Sequence, residues 1–376
     1  MMFNRADRNS VAGWAVLAAV AAGFAASMSA APATAHEVAI DSDDIGGVVT
    51  GPKGPEAGVW VIAETRELGT RYIKAVVTDD GGHYVLPDLP KANYDVWVRG
   101  YGLVDSPKLR SGPGRTLNLT AVPAPNDATA AQYYPAIYWY SMLEIPGKDQ
   151  FGGKSDIPAK ITQTEWLKIV KNRSCNGCHQ LGNLATRTIP QQFGTGAAGW
   201  QRRTQSGQAG ANMTGQLAGK LAGVPYKYFG EWTDSIAKGA LPHTKPTRPQ
   251  GVERNIVVTV RDWLNEKHYL HDLISTDRRN PTVNAYGRLY GSAEFSTDAI
   301  PILDPVKNTV TAFEAPAMPG TKFARASHAK AKPTMPSAYW GNEAIWNAKT
   351  SNHNPMFDED GRVWFAARVR EAKNPA

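Results

Sequence analysis

The sequence predicts a multidomain chain that is β-sandwich first, mostly α in the middle, and β-strand again at the end. Three observations carry this. Between residues 58 and 99, β-branched and aromatic runs alternate with turn clusters. A short helical pattern leads into Cys175-Asn176-Gly177-Cys178-His179, and a second apolar helical face follows near residue 260. Beyond Asn280, strand–turn–strand patterns return. At 376 residues the prior is two or three domains. A 42% hydrophobic content with 9% aromatics supplies real cores, which excludes a disordered chain.

The first residues read as an address. Arg5 and Arg8 precede an apolar run from Val11 to Ala26, and Ala33-Thr34-Ala35 offers small residues for cleavage. Residues 1–35 are therefore expected to be a signal peptide, with His36 opening the mature chain. The run is shorter than the ~20 residues a bilayer span needs, so no transmembrane anchor is expected after cleavage. With no adjacent arginine pair before it, the general secretion route is expected, and a periplasmic or secreted location. The net charge of +7 is spread along the chain without lysine or arginine runs, so nucleic acid is not expected as a partner.

Residues 36–122 read as the sandwich. Gly58-Val59-Trp60-Val61-Ile62-Ala63 and Tyr72-Ile73-Lys74-Ala75-Val76-Val77-Thr78 are strand-forming runs, and Asp79-Asp80-Gly81-Gly82 is a turn. Tyr94-Asp95-Val96-Trp97-Val98-Arg99 alternates with period two and so can bury one face. The order of these runs, with Gly82-x-Tyr84 and Leu89-Pro90 between them, resembles carboxypeptidase regulatory-like (transthyretin-like) domains. That resemblance implies a structural or adhesive module. His36 and His83 raise the idea of a copper chelate at a mature N-terminus, but the acidic Asp41, Asp43 and Asp44 that follow His36 read as an ordinary solvated terminus.

Residues 123–159 form a Pro- and aromatic-rich linker. Pro123, Pro125, Pro135, Pro146 and Pro158 punctuate it, with Tyr133-Tyr134 and Tyr138-Trp139-Tyr140 between. A disordered linker is poor in aromatics, so packing across a domain junction is expected.

Residues 160–275 carry the strongest chemical signal. Cys-x-x-Cys-His is the attachment pattern of a c-type haem. Two thiols one helical turn apart reach the vinyl groups on one porphyrin edge, and the adjacent histidine offers a ring nitrogen to the iron. Three other uses of such cysteines fit less well. A thioredoxin-like pair needs a preceding strand, whereas Glu165 to Lys171 reads as a helix, capped by Thr162 or Thr164. A structural zinc site needs four ligands, and the chain has two cysteines in all. A plain disulfide or a chance match is the third, but export weighs against chance, and both cysteines of the chain lie inside the motif. Thr188 to Gly223 is rich in Gly, Gln and small residues, which lets backbone wrap closely around a flat ligand. Ile256, Val260, Trp263 and Leu264 lie at i, i+4, i+7 and i+8, which predicts a helix over Glu253–Lys267. A helix at each end with the motif between resembles class I cytochrome c, which implies one covalent haem c, thioethers at Cys175 and Cys178, and His179 as proximal ligand.

The second axial ligand departs from that family. Leu241-Pro242 stands where many such cytochromes carry Met-Pro. Met213, in the Gly- and Gln-rich loop, is the only methionine between Cys178 and Glu253, and its thioether suits iron. Its polar, small neighbours, Gln208 to Asn212, are a poor setting for a core filler. Met213 is therefore expected as the sixth ligand. His243, just after Leu241-Pro242, is the rival.

Residues 280–376 read as strands again. Ala299–Leu303 and Thr309–Phe313 flank a turn, and a second strand–turn–strand runs from Asn354 to Phe365. Asp304-Pro305, Val310 and Phe313, then Phe357-Asp358-x-Asp360-Gly361-x-Val363-Trp364-Phe365, resemble the repeat of virginiamycin B lyase-like β-propellers. Blades take roughly 40–50 residues and closure takes about four, so an incomplete propeller is expected, with the chain a truncated form of a longer protein or its blades paired with another partner. A propeller beside a cytochrome domain implies the electron-accepting part of a periplasmic dehydrogenase, working with a redox partner protein by electron transfer rather than as a stand-alone enzyme. The alternatives are a carbohydrate- or partner-binding module with a haem domain, and a fragment of a propeller lyase.

Overall fold

Each alternating run of the N-terminal third folds as a strand because one of its faces is mostly apolar. In the computed structural model the described residues are 38–172, 174–317, 319–321, 332–333 and 335–367; the expected signal peptide and His36 lie outside them. Strands β1 (Ile45–Gly51), β2 (Gly54–Pro55), β3 (Trp60–Thr65), β4 (Tyr72–Val77), β5 (His83–Leu86) and β6 (Tyr94–Arg99) follow in order. The shorter β7 (Leu103–Val104), β8 (Leu109–Ser111), β9 (Arg115–Thr116), β10 (Leu119–Thr120) and β11 (Val122–Pro123) complete the region. One sheet is built on β1, which pairs antiparallel with β2 and β5 and parallel with β9 and β10. The other carries β4, β3, β6 and β8 side by side, all antiparallel. Ile45 and Val49 of the first sheet meet Val61, Tyr72, Tyr94 and Val96 of the second in one core. Each such side chain contributes about 1.5–3 kcal/mol when fully buried. Lys74 points into this core region and satisfies its ammonium on the Pro87 and Asp88 carbonyls, at 2.5 and 3.1 Å.

The second sheet has a fifth strand from far along the chain. The helix expected over Glu253–Lys267 is absent. A short 3-10 turn (Gly251–Asn255) leads instead into β12 (Val258–Arg261), which pairs antiparallel with β4 from Val258–Ala75 to Arg261–Tyr72. The physical reason lies in Ile256-Val257-Val258-Thr259-Val260, five β-branched residues in a row. Their stiffness at χ1 favours strand, and the open edge of β4 supplies the hydrogen-bonding partner. The helical face at i, i+4 and i+7 was real in the sequence, but it lost to this local preference. The span 160–275 is thus not one helical unit: its last strands belong to sheets on either side.

Short helices are spaced along residues 127–237: α1 (Asp127–Ala131), α2 (Ala136–Tyr140), α3 (Gln163–Leu167), α4 (Leu184–Arg187), α5 (Gly196–Gln205), α6 (Gly210–Thr214) and α7 (Pro225–Ala237). Helix α5 packs on α7 through Trp200 and Phe229, ring centroids 4.6 Å apart, and Trp200 Nε1 donates to Thr233 Oγ1 at 3.0 Å. The aromatic segment between sandwich and helices packs both ways. Trp60, Tyr101, Tyr134 and Tyr138 form a chain of edge contacts at 5.0–6.1 Å. On the helical side Trp232 Nε1 donates to the Trp139 carbonyl at 2.9 Å, and Tyr140 Oη to that of Val170 at 2.5 Å.

The C-terminal third is β. Strands β13 (Asp272–Ile274), β14 (Leu289–Ser292), β15 (Ala299–Asp304) and β16 (Thr309–Glu314) form an antiparallel meander, and β17 (His353–Phe357) pairs with β18 (Val363–Ala366) as a separate hairpin. Ser292 Oγ donates to the Asn352 carbonyl, and the Ala348 amide to that of Phe295 at 3.2 Å, which joins hairpin to meander. The region also holds the Gly-rich loop of the helical layer. Gln208 Nε2 donates to the Trp346 carbonyl at 3.2 Å, and the Trp346 amide returns a bond to Gln208 Oε1 at 2.8 Å. The fold is therefore β-rich with several separate sheets and a minority of short helices. No described helix is long and apolar enough to cross a membrane.

Candidate functional site

The helix before the cysteines starts where a cap allows it. Thr162 Oγ1 accepts from the Glu165 amide at 3.1 Å, opening α3, and Trp166 anchors the helix in the helical core. A wider turn over Lys168–Asn172 follows, and the Cys175 amide bonds back to the Ile169 carbonyl. The motif itself is one helical turn. Both the Cys178 amide (3.3 Å) and the His179 amide (2.9 Å) donate to the Cys175 carbonyl, which puts the three side chains within one turn. Asn176 Nδ2 clips the turn to the Lys171 carbonyl at 3.0 Å. Lys171 is held in turn by the Tyr140 and Leu143 carbonyls and lies 3.9 Å from the Tyr140 ring centre.

The exit from the turn is fixed by Gly182. Its φ of +94° is left-handed, and a Cβ there would sit 1.9 Å from the Ala136 carbonyl oxygen. Only glycine lets the chain after His179 run flush against α2. The Gly182 amide donates to Thr186 Oγ1 at 2.9 Å, and its carbonyl accepts from Arg187 at 2.9 Å.

Both thiols are free: Cys175 is half-buried against the helical core, and Cys178 is exposed. Burial and the neighbouring Cys178 push the Cys175 thiol up to about 11; burial and the charge of Glu294 raise Cys178. The His179 ring faces solvent, yet enough protein surrounds it for desolvation to lower its pKa, and the Arg203 charge adds to this. A neutral imidazole keeps a lone pair for a metal. Among the described residues, no hydrogen bond engages that ring. Two free thiols one turn apart, followed by a neutral, uncommitted imidazole, fit the donor set of a covalently bound haem.

The proposed sixth ligands are placed differently. Met213 sits half-buried on α6, three residues before Gln216, whose side chain accepts from Ser174 Oγ at 3.1 Å. That bond ties the Met213 segment to the residue preceding Cys175. His243 is exposed, and Leu241 before it packs beside Tyr134 and Trp139 at the aromatic junction. His83 Nδ1 lies 3.0 Å from Asp79 Oδ2, while His36 lies outside the described residues.

Sequence reasoning missed a group beside the motif. Glu294, whose charge reaches Cys178, also meets Tyr269, His271 and His353. His271-Asp272 opens β13, His353 opens β17, and Glu294 lies just past β14 with φ +42°. Their spacing in sequence, over 80 residues, left no local pattern; paired polar residues at strand entries were the available hint. No protein-family model matches this chain, and no curated protein is significantly similar to it.

Proposed function

We propose that the chain is an exported electron-transfer protein that carries one covalent haem c. Cys175 and Cys178 would hold the haem through thioethers, and His179 would bind its iron. The observation that carries this reading is the Cys175–His179 turn, with both amide bonds converging on the Cys175 carbonyl and both thiols free. When bound, the haem supplies a one-electron couple. The protein's own part is placement. The Asn176–Lys171 clip and the Gly182 contact hold the turn rigid at both ends, so both sulfurs and the imidazole stay on one side. Met213 would supply the second protein ligand to the iron, with His243 as rival. The partner is a redox protein or a dehydrogenase, and the location is periplasmic or secreted.

The test is periplasmic expression with haem-maturation factors. The expected product is red and keeps its haem through acid–acetone extraction, and Cys175→Ala with Cys178→Ala loses it. Haem that stays covalently bound in the double variant, or a wild-type protein that takes up none, would refute the assignment. In the second case a binding module becomes the better reading of the fold.

A further inference from the structure

His271 and His353 meet edge to face, ring centres 4.5 Å apart, between two carboxylates. Asp272 lies 2.6 Å from His271 Nδ1 and 3.4 Å from His353 Nδ1. Glu294 lies 2.7 Å from His353 Nε2 and 3.4 Å from His271 Nε2. All four ring nitrogens therefore face a carboxylate oxygen. The Nδ1 atoms of both rings thus converge on Asp272 and the Nε2 atoms on Glu294, which is only 9% exposed.

We propose that His271, Asp272 and His353 form a binding site for one divalent first-row transition ion, with Glu294 accepting from the far ring nitrogens and orienting both imidazoles. One donor atom each from His271, Asp272 and His353 already lies within 4.8 Å of the others. Bonds of about 2.0–2.2 Å place opposite ligands roughly 4 Å apart, so small side-chain rotations complete the set. Mixed imidazole and carboxylate donors suit zinc, nickel or copper, whereas magnesium and calcium take oxygen-only sets. The carboxylates are held from outside, as ligating groups usually are. Tyr269 Oη donates to Glu294 Oε2 at 2.9 Å, and the Asn354 amide to Asp272 Oδ2 at 2.8 Å. His271 is 40% exposed and His353 29%, which leaves an entry path. The ligands come from the β13–β16 meander and from the β17–β18 hairpin, so the ion ties the two together.

Calorimetric titration of Zn2+ into the chelator-treated full mature chain, carried without a histidine tag at pH 7.5, tests this, with Mg2+ in parallel. One zinc per chain is expected at these ligands. His271→Gln and His353→Gln should each weaken it by about tenfold or more, in line with the loss of a ligand or its support. Glu294→Gln keeps the volume and the tyrosine contact, and should also weaken zinc while leaving the far-ultraviolet circular dichroism unchanged. Zinc should raise the thermal midpoint of the wild type and not that of the double histidine variant. The proposal is overturned if the wild type takes up no zinc, if all three variants bind it as the wild type does, or if Mg2+ binds as tightly as Zn2+.

Discussion

Replacing Gly182 by alanine should destabilise the protein by about 2–5 kcal/mol, because two costs add at one atom. A left-handed backbone charges a non-glycine residue roughly 1–2 kcal/mol, and Gly182 has φ +94°. The new methyl would also lie 1.9 Å from the Ala136 carbonyl oxygen and 2.8 Å from the Tyr140 amide nitrogen, both backbone atoms of α2. Neither can rotate away, so the loop must lift off the helix, and overpacking of this kind costs about 1–3 kcal/mol. Lifting also strains the bonds from Gly182 to Thr186 and Arg187. Against a total stability of about 5–15 kcal/mol, the loss is large and readable by urea unfolding as a fall in midpoint at constant slope. Gly102→Ala is the control, since it shares a left-handed φ of +83° but has nothing within 4 Å of the added methyl. It should lose only the backbone part, ~1–2 kcal/mol. If Gly182→Ala unfolds within about 0.5 kcal/mol of the wild type, or costs no more than Gly102→Ala, the close approach to α2 is not what fixes the end of the motif.

Three further outcomes follow from the same structure. Arg187 is buried with its guanidinium 4.3 Å from the Trp139 ring centre, bonded to the Gly182 carbonyl and to Gln132. Arg187→Met should cost about 2–4 kcal/mol in chemical unfolding, through the lost cation–π contact and the stranded carbonyl. The oxidised haem protein should show a weak sulfur-to-iron band in the far red that vanishes in Met213→Ala and persists in His243→Ala; loss of the low-spin spectrum in His243→Ala alone transfers the sixth position to His243. Burial alone would raise the Glu64 carboxyl, but Arg71 at 2.7 Å and Lys108 at 3.5 Å outweigh it and hold its pKa below the ordinary value. Its contribution is then present above the unfolded carboxyl pKa and lost as pH falls through the lower folded one. The stability gap between wild type and Glu64→Gln should be widest at neutral pH and close in acid, and a gap that widens in acid would contradict the ion-pair account.

Period-two runs made the sandwich legible, and β6 begins and ends at Tyr94 and Arg99 as its alternation indicates. The turn at Asp304–Asn308 likewise marks its hairpin, because Asp304 caps its own turn by accepting from the Val306 and Lys307 amides. Thr162 was one of two possible caps, and the structure selects it. What stayed hidden depends on distant partners. β12 needed the open edge of β4, which no window around residue 258 contains. The histidine–carboxylate group is likewise assembled from three separate strand ends. In the site, the cysteine turn was readable because all its chemistry lies within five consecutive residues, while Glu294 gave no signal because its neighbours are set by sheet packing alone.

The β4–β12 pairing also sets a timetable for folding. The two strands are separated by about 180 residues, so the closing strand of the first sheet arrives only after the whole helical layer has been made. An open edge is a template for pairing with other chains, and contacts of such long range slow folding through the loop they must close. The sandwich is therefore most open to pairing with other chains before Val258–Arg261 docks.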